Sequence, residues 1–141
     1  MIVLKNIIPD NVVSHQISIK VQKQDIDALD HVNNVVYLQW VNDISEKHWG
    51  ILSNEKIDSK YFWVVIRHEI DYINQAVLDD DITIYTWIGE TGGVRSIRNV
   101  HVYKKDTLLA KAKTTWCLVD KKTTKPTRIK QDILNILEEK S

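Results

Sequence analysis

The polar segment DIDALDHVNN, residues 25–34, is the part of the sequence best suited to chemistry. It places three Asp, one His and two Asn within ten residues, between a segment that predicts a strand and one that predicts a helix. Loop residues held by rigid elements commonly form functional sites, and a helix N-terminus adds free N–H groups with partial positive charge. Asp and Asn are also ordinary turn and cap residues, so composition alone leaves both interpretations open.

Metal-binding interpretations of this segment fail on spacing. The carboxylates from Asp25 onward alternate as in a calcium loop, but Asp30 and Val36 occupy its sixth and twelfth positions, where Gly and Glu are required. The five His residues are scattered and form no His-x-x-x-His pair that would favour zinc. No phosphate loop, dinucleotide fingerprint or Gly-x-Ser-x-Gly elbow occurs. We therefore expect neither a metal nor a cofactor.

The elements around this segment predict one α+β domain over residues 1–141. Strict alternation over residues 16–23 predicts a half-buried strand. Apolar residues at spacings of three and four predict a long helix that begins after an Asn33 or Asn34 cap and ends at Gly50. Because apolar residues extend beyond one stripe, this helix should be largely enclosed.

Four further segments are rich in β-branched and aromatic residues, and their short connections predict an antiparallel four-strand meander. Thr127 is predicted to cap a short amphipathic C-terminal helix. Such a sheet can bury the long helix only by curling around it, and an exposed edge strand would invite pairing with a second copy. The four strands are predicted at residues 62–73, 81–89, 94–104 and 108–120.

Composition limits the class of protein. With 43% apolar and 27% charged residues, the chain is neither disordered nor fibrous. A single cysteine, Cys117, favours a reducing compartment, so we expect a cytoplasmic protein. The N-terminal residues lack an apolar stretch long enough for a signal peptide, and the longest charge-free run, residues 31–42, is too short to span a membrane. We expect no membrane association.

Charge is balanced overall but uneven along the chain. Residues 95–130 contain eleven Lys or Arg and only two Asp, although the whole chain has 19 basic and 19 acidic residues. This basic stretch is either a solvated surface or a docking area for an anionic ligand. Nucleic acid is the less favoured partner, because no nucleic-acid-binding motif accompanies it.

The runs DIDALDHVNNVVYLQWVND, RHEIDYINQAVLDDDITIYTWIGE and TTWCLVDKKTTKPTRI resemble the hotdog-fold acyl thioesterases. The branch in question includes 4-hydroxybenzoyl-CoA thioesterase, bacterial acyl-CoA thioesterases and plant acyl-carrier-protein thioesterases. The similarity spans residues 15–130, and the Asp-x-x-x-His-Val-Asn-Asn block is its most specific part. It implies a sheet wrapped around a long helix, as predicted independently above, and hydrolysis of an acyl-CoA or acyl carrier protein thioester to an acid and a thiol.

The resemblance also implies roles for single residues. Asp27 matches the catalytic carboxylate, acting as a base or a nucleophile, and the helix-terminal N–H that polarises the thioester carbonyl falls near Asn34. His31 matches a catalytic His of the carrier-protein branch, with orientation of the loop as its alternative role. Gln75 stands where that branch has a catalytic Glu and Leu29 where it has Asn, which favours the single-Asp mechanism. Since Gln cannot act as a base, Gln75 is assigned to substrate binding.

The basic stretch gains an interpretation from the same resemblance. Arg95 and Arg98, with Lys104 and Lys105, could steer the phosphates of coenzyme A or the acidic surface of a carrier protein. The resemblance implies a homodimer or a dimer of dimers with the ligand at the dimer interface. The alternative function is a hotdog module that binds acyl-CoA or acyl carrier protein without hydrolysis. A dehydratase ranks last, because its His-Phe-Pro motif is absent.

Overall fold

A long helix packs against a curved antiparallel sheet in the computed structural model, which describes residues 7–138. The sheet has the strand order β1-β3-β4-β5-β2. This arrangement confirms the predicted α+β architecture, a sheet around a long helix with a short helix near the C-terminus. The elements are β1 (Ser14–Lys20), a one-turn 3₁₀ helix (Lys23–Asp25), α1 (Asn34–Leu52), α2 (Glu55–Asp58), β2 (Tyr61–Tyr72), β3 (Asp81–Gly92), β4 (Arg95–Lys104), β5 (Thr107–Asp120) and α3 (Gln131–Leu137).

Helix α1 begins where the sequence predicts and ends after the residue predicted to end it. The Asn33 side chain accepts a hydrogen bond from the Val35 N–H at 3.0 Å, which is an N-cap. The predicted end at Gly50 is wrong, because the helix continues to Leu52 and Ser53 is its C-cap. A glycine in the last turn of an otherwise apolar helix lowers local stability without ending the helix.

The predicted four-strand meander is wrong at one connection. Strand β2 pairs with β5, whereas β3 pairs with β1 and β4. The segment 73–80 is longer than a hairpin turn and runs across the end of the sheet. It leaves β2 with a 2.8 Å hydrogen bond from the Ile73 N–H to the Leu109 carbonyl and reaches β1 with a 3.2 Å bond from the Asp79 N–H to the Val21 carbonyl.

The short helix near the C-terminus starts later than predicted. Lys130 is the N-cap position of α3, without a side-chain cap, so the assignment of the cap to Thr127 is wrong. The Thr127 backbone N–H instead donates to the Leu118 carbonyl at 2.9 Å, which keeps this part of the chain extended beside the sheet. Among residues 7–138, no helix is long and apolar enough to cross a membrane.

The core consists of two apolar clusters separated by a polar layer. The cluster on the side of Asn34 includes Val41 and Ile44, and the cluster at the other end of α1 includes Leu118 and Ile133. Along α1, β3 and β5 alike, buried polar residues occur between members of the two clusters. This polar layer consists of Ser45, His48, Thr86, Ser96, Arg98 and Thr114.

Candidate functional site

The loop before α1 is a tight turn organised by Asp27. A bridge joins Ile26 to Val32, and the Asp27 N–H donates to the His31 carbonyl at 2.8 Å. Asp27 Oδ1 accepts hydrogen bonds from the Leu29 N–H at 2.8 Å and from the His31 N–H at 3.3 Å. Within residues 7–138, Oδ2 of the same carboxylate has no hydrogen-bond donor. One oxygen therefore holds the loop, and the other could accept a hydrogen bond from a ligand.

The N-terminus of α1 supplies a backbone donor close to this loop. The Asn33 side chain caps the N–H of Val35, and no group in the described part of the chain accepts the N–H of Asn34. The Asn34 carbonyl accepts a hydrogen bond from the Tyr72 hydroxyl at 3.2 Å. An unused N–H at the positive end of a helix dipole can stabilise negative charge on a ligand oxygen.

A cleft of about 610 Å³ brings four of the predicted site residues together. Asp27 and His31 are half-buried in it, whereas Asn34 and Gln75 are exposed. The remaining walls come from the loop, from α1 and from the end of β2, and include residues that sequence reasoning missed. Tyr72 in particular reaches α1 through a contact 38 residues apart in sequence, which no local pattern indicates. The other lining residues are Leu29, Val32, Asn33, Tyr37, Tyr72, Ile73 and Asn74.

A basic recess adjoins this cleft. Asn74 and Gln75 line both cavities, and the recess of about 380 Å³ also contains Lys104, Lys105 and Asp106 at the β4–β5 turn. Lys104 Nζ lies 2.8 Å from a carboxylate oxygen of Asp80, while Lys105 is exposed. Two of the cations considered for binding an anionic ligand therefore lie beside the Asp27 cleft.

Arg95 and Arg98 lie elsewhere. Arg95 is exposed at the start of β4, opposite Cys117 of β5. Arg98 is only 5% exposed, because its side chain enters the polar layer of the core. Neither residue lines the Asp27 cleft. The assignment of both to substrate binding stays a prediction.

The partner of Arg98 in the polar layer is His48 of α1. Arg98 Nη1 lies 2.8 Å from His48 Nδ1, and the His48 ring stacks on His15 at 5.3 Å. Burial, the Arg98 charge and His15 together lower the pKa of His48 to about 3. At neutral pH His48 is therefore uncharged, and its Nδ1 accepts the hydrogen bond from Arg98.

Burial of neutral His48 should make folding depend on pH. The unfolded chain takes up this proton near pH 6.5, whereas the folded chain does so only near pH 3. The contribution of His48 to the free energy of unfolding is thus fully present above pH 6.5. It decreases as the pH falls, by about 2 kcal/mol at pH 5. Urea unfolding curves from pH 8 to pH 5 should show this loss. His48→Gln, which keeps an acceptor but cannot be protonated, should make this dependence shallower without abolishing it, because burial also lowers the pKa of His68 and of His101. An equal slope in the variant would contradict the role of His48.

Comparisons with known proteins agree on one family. The family model described as the thioesterase-like superfamily matches residues 21–137. The long-chain acyl-CoA thioesterase FadM of Escherichia coli K12 is 28% identical over 134 residues, which cover 88% of this chain and 97% of that protein.

Solved structures of probable thioesterases share the fold. YbaW of Escherichia coli superposes with a TM-score of 0.76 at 27% identity, covering 88% of this chain and 96% of its own. A predicted thioesterase from Bacillus stearothermophilus superposes with a TM-score of 0.80 at 22% identity, covering 89% and 94%. These likenesses confirm the hotdog fold implied by the sequence resemblance.

Proposed function

The chain belongs to the thioesterase-like superfamily, and from that premise we propose that it hydrolyses an acyl-CoA thioester to a free carboxylic acid and a thiol. The observation that carries the proposal is that the Asp27 carboxylate and the N-terminus of α1 line one cleft. The relative FadM is by name a long-chain acyl-CoA thioesterase, which supports an acyl-CoA as the substrate.

In the proposed mechanism, Asp27 acts on the attacking water or on the carbonyl carbon, and the Asn34 N–H acts on the carbonyl oxygen. Attack on a thioester carbon places negative charge on the carbonyl oxygen, and a fixed N–H at a helix N-terminus stabilises that charge without reorganisation. Asp27 either removes a proton from the attacking water, or attacks the carbon itself to form a mixed anhydride that water then hydrolyses. In both routes the carbon–sulfur bond breaks, and coenzyme A leaves as a thiolate that takes up a proton. The roles of His31 and Gln75 are to position the loop and the substrate, since His31 bonds to Asp27 through its backbone and both line the cleft.

The phosphates of coenzyme A are proposed to bind at the basic recess. Exposed Lys105 carries a charge that complements them, whereas Lys104 is paired with Asp80 and Asp106 also lines the recess. The recess shares Asn74 and Gln75 with the catalytic cleft. A substrate lying over Asn74 and Gln75 could therefore place its thioester near Asp27 and its nucleotide near the two lysines.

Thiol release from a panel of acyl-CoAs tests this function. Wild-type protein should release coenzyme A from at least one of a short, a long and an aromatic acyl-CoA, as a thiol-reactive dye detects. If none is hydrolysed but an acyl carrier protein thioester is, the hydrolase proposal stands and the donor changes. Binding of these ligands without any thiol release would instead support the non-catalytic module.

We also propose that the protein is a homodimer paired through the outer edge of β2. That strand pairs with β5 on one side, and its residues Phe62, Ile66 and Tyr72 are exposed apolar side chains. A long apolar edge of this kind invites pairing with another strand. The same strand ends at Tyr72, which lines the Asp27 cleft, so pairing here would bring a second copy close to the site.

Ile66→Lys tests the β2 edge. The side chain is 46% exposed in the single chain, so a charge there should leave folding intact but oppose edge pairing. Sedimentation velocity should show two chains for the wild type and one for the variant, with lower thiol release. Ile51→Lys, on an exposed position of α1, is the matched control and should stay dimeric. A monomeric wild type, or a dimeric Ile66→Lys, would contradict the proposal.

A further inference from the structure

A second cavity lies toward the C-terminal end of α1. It has a volume of about 290 Å³ and is lined from α1 by Ser45 and Trp49. At about 1.5 Å per residue, Ser45 is ~17 Å from Asn34 along the helix axis, so within one chain this cavity is separate from the Asp27 cleft. Its walls are largely aromatic and apolar: Trp49, Trp63, Trp116, Phe62, Ile88 and Leu137.

Arg98 is a buried cation in the wall of this cavity, and no carboxylate compensates its charge. Its Nη1 contacts His48 Nδ1 at 2.8 Å and Thr86 Oγ1 at 3.1 Å, and both partners are neutral. Burial lowers the pKa of Arg98 only to about 10, so it is still charged at neutral pH. Among residues 7–138 no Asp or Glu lies within ion-pair distance of it. A buried charge of this kind is costly unless something pairs with it.

A second buried donor at the same cavity has no acceptor, whereas Arg98 has acceptors but no counter-charge. The indole N–H of Trp116 is buried and has no hydrogen-bond partner in the described part of the chain. Glu46, Asp58 and Lys121 also line the cavity, but neither carboxylate lies within ion-pair distance of Arg98 in the described part of the chain. Glu46 accepts from the Asn42 amide at 3.1 Å and Asp58 accepts from the Ser53 hydroxyl at 2.6 Å. The cavity therefore offers a cation and apolar walls to a ligand that brings negative charge.

We propose that this cavity binds the carboxylate of a small aromatic or medium-chain organic acid. The Arg98 guanidinium would bind the carboxylate, and the three indoles would enclose the apolar part. The volume lies near the lower limit of the ~300–1,000 Å³ typical of ligand sites, which favours one ring or a medium chain over a long one. This site goes beyond the proposed hydrolysis at Asp27. The carboxylate belongs to a free acid, because within one chain a medium-length acyl chain held at Asp27 would not reach a cavity that lies ~17 Å further along α1.

Tryptophan fluorescence titration of the full chain tests the proposal without any variant. Octanoate and phenylacetate should quench or shift the emission, because three tryptophans line the cavity. Octanamide and phenylacetamide match them in shape but carry no charge, and should bind at least about tenfold more weakly. Equal affinity of acid and amide, or no response to either acid, would overturn the proposal.

A matched pair of variants assigns the binding to Arg98. Arg98→Met should weaken octanoate binding by about tenfold or more, whereas the same substitution at exposed Arg128 should leave it unchanged. Trp116→Phe should cause a smaller loss. Octanoate binding that survives Arg98→Met at full strength would refute the assignment. Asp27→Asn should bind octanoate like the wild type, so this result does not depend on whether the protein hydrolyses thioesters.

Competition with a thioester distinguishes this cavity from the Asp27 cleft. Because the two cavities are separate, octanoate should still bind to protein that is saturated with octanoyl-CoA. Loss of octanoate binding in the presence of octanoyl-CoA would place the acid in the Asp27 cleft instead and overturn the proposal.

Discussion

Asp27→Asn should lower the rate of thiol release by about 100- to 10,000-fold, the range typical for loss of a group that transfers a proton or attacks a substrate. An amide cannot accept a proton from water and is a poor nucleophile. The folded structure should survive, because Asn keeps the oxygen that accepts the Leu29 and His31 N–H groups. Thiol release measured beside an unfolding curve separates lost chemistry from lost folding.

Asp30→Asn is the matched control for this prediction. It makes the same change three residues further on in the same loop, where the backbone φ of 63° is one that Asn tolerates well. Asp30 is exposed and does not line the Asp27 cleft. The control should therefore hydrolyse acyl-CoA at nearly the wild-type rate. Equal losses in the two variants would indicate a general effect of loop charge, and full activity in Asp27→Asn would remove Asp27 from the mechanism.

The five strands and the helices α1 and α3 could be predicted because each carries a local pattern, whereas the one-turn 3₁₀ helix and α2 are too short to show one. The alternation in β1 and the three- and four-residue spacing in α1 follow directly from which face of each element is buried. Strand order does not follow from such patterns. Segment 73–80 crosses the end of the sheet, held by backbone hydrogen bonds to Leu109 and Val21, and no residue type in it distinguishes that path from a hairpin.

Some residues of the candidate site could be predicted from the sequence, and others could not. Asp27, His31 and Asn34 are close in sequence, so one motif was enough to select them, and the structure places them in one cleft with Gln75. Tyr72 contacts α1 only through the tertiary fold. The basic stretch suggests a role for Arg98 in binding an anionic ligand, and Arg is seldom fully buried. Yet Arg98 shares the inner face of β4 with Ser96 and Val100, and this two-residue periodicity predicts that it is buried in spite of its residue type.

The largest loss of stability is expected from Ile44→Ala. Ile44 is 0% exposed at the middle of α1, in the cluster nearer the Asp27 loop. Truncation removes buried methyl groups and leaves a cavity, which costs about 2–5 kcal/mol in the free energy of unfolding. Ile51→Ala makes the same change on the same helix at a side chain that is 65% exposed, and should alter stability by less than about 0.5 kcal/mol. Urea midpoints at constant slope measure both.

These two variants also test how far the chemistry depends on the core. Helix α1 carries the Asn34 N–H at its first residue, and Ile44 anchors the same helix against the sheet. If the helix moves as one rigid element, thiol release per folded molecule should be unchanged in Ile44→Ala at low temperature, and only its midpoint should fall. A rate that falls while the protein stays folded would mean that packing around Ile44 sets the position of the helix N-terminus. An Ile44→Ala midpoint equal to that of Ile51→Ala would show that α1 is not held by this cluster.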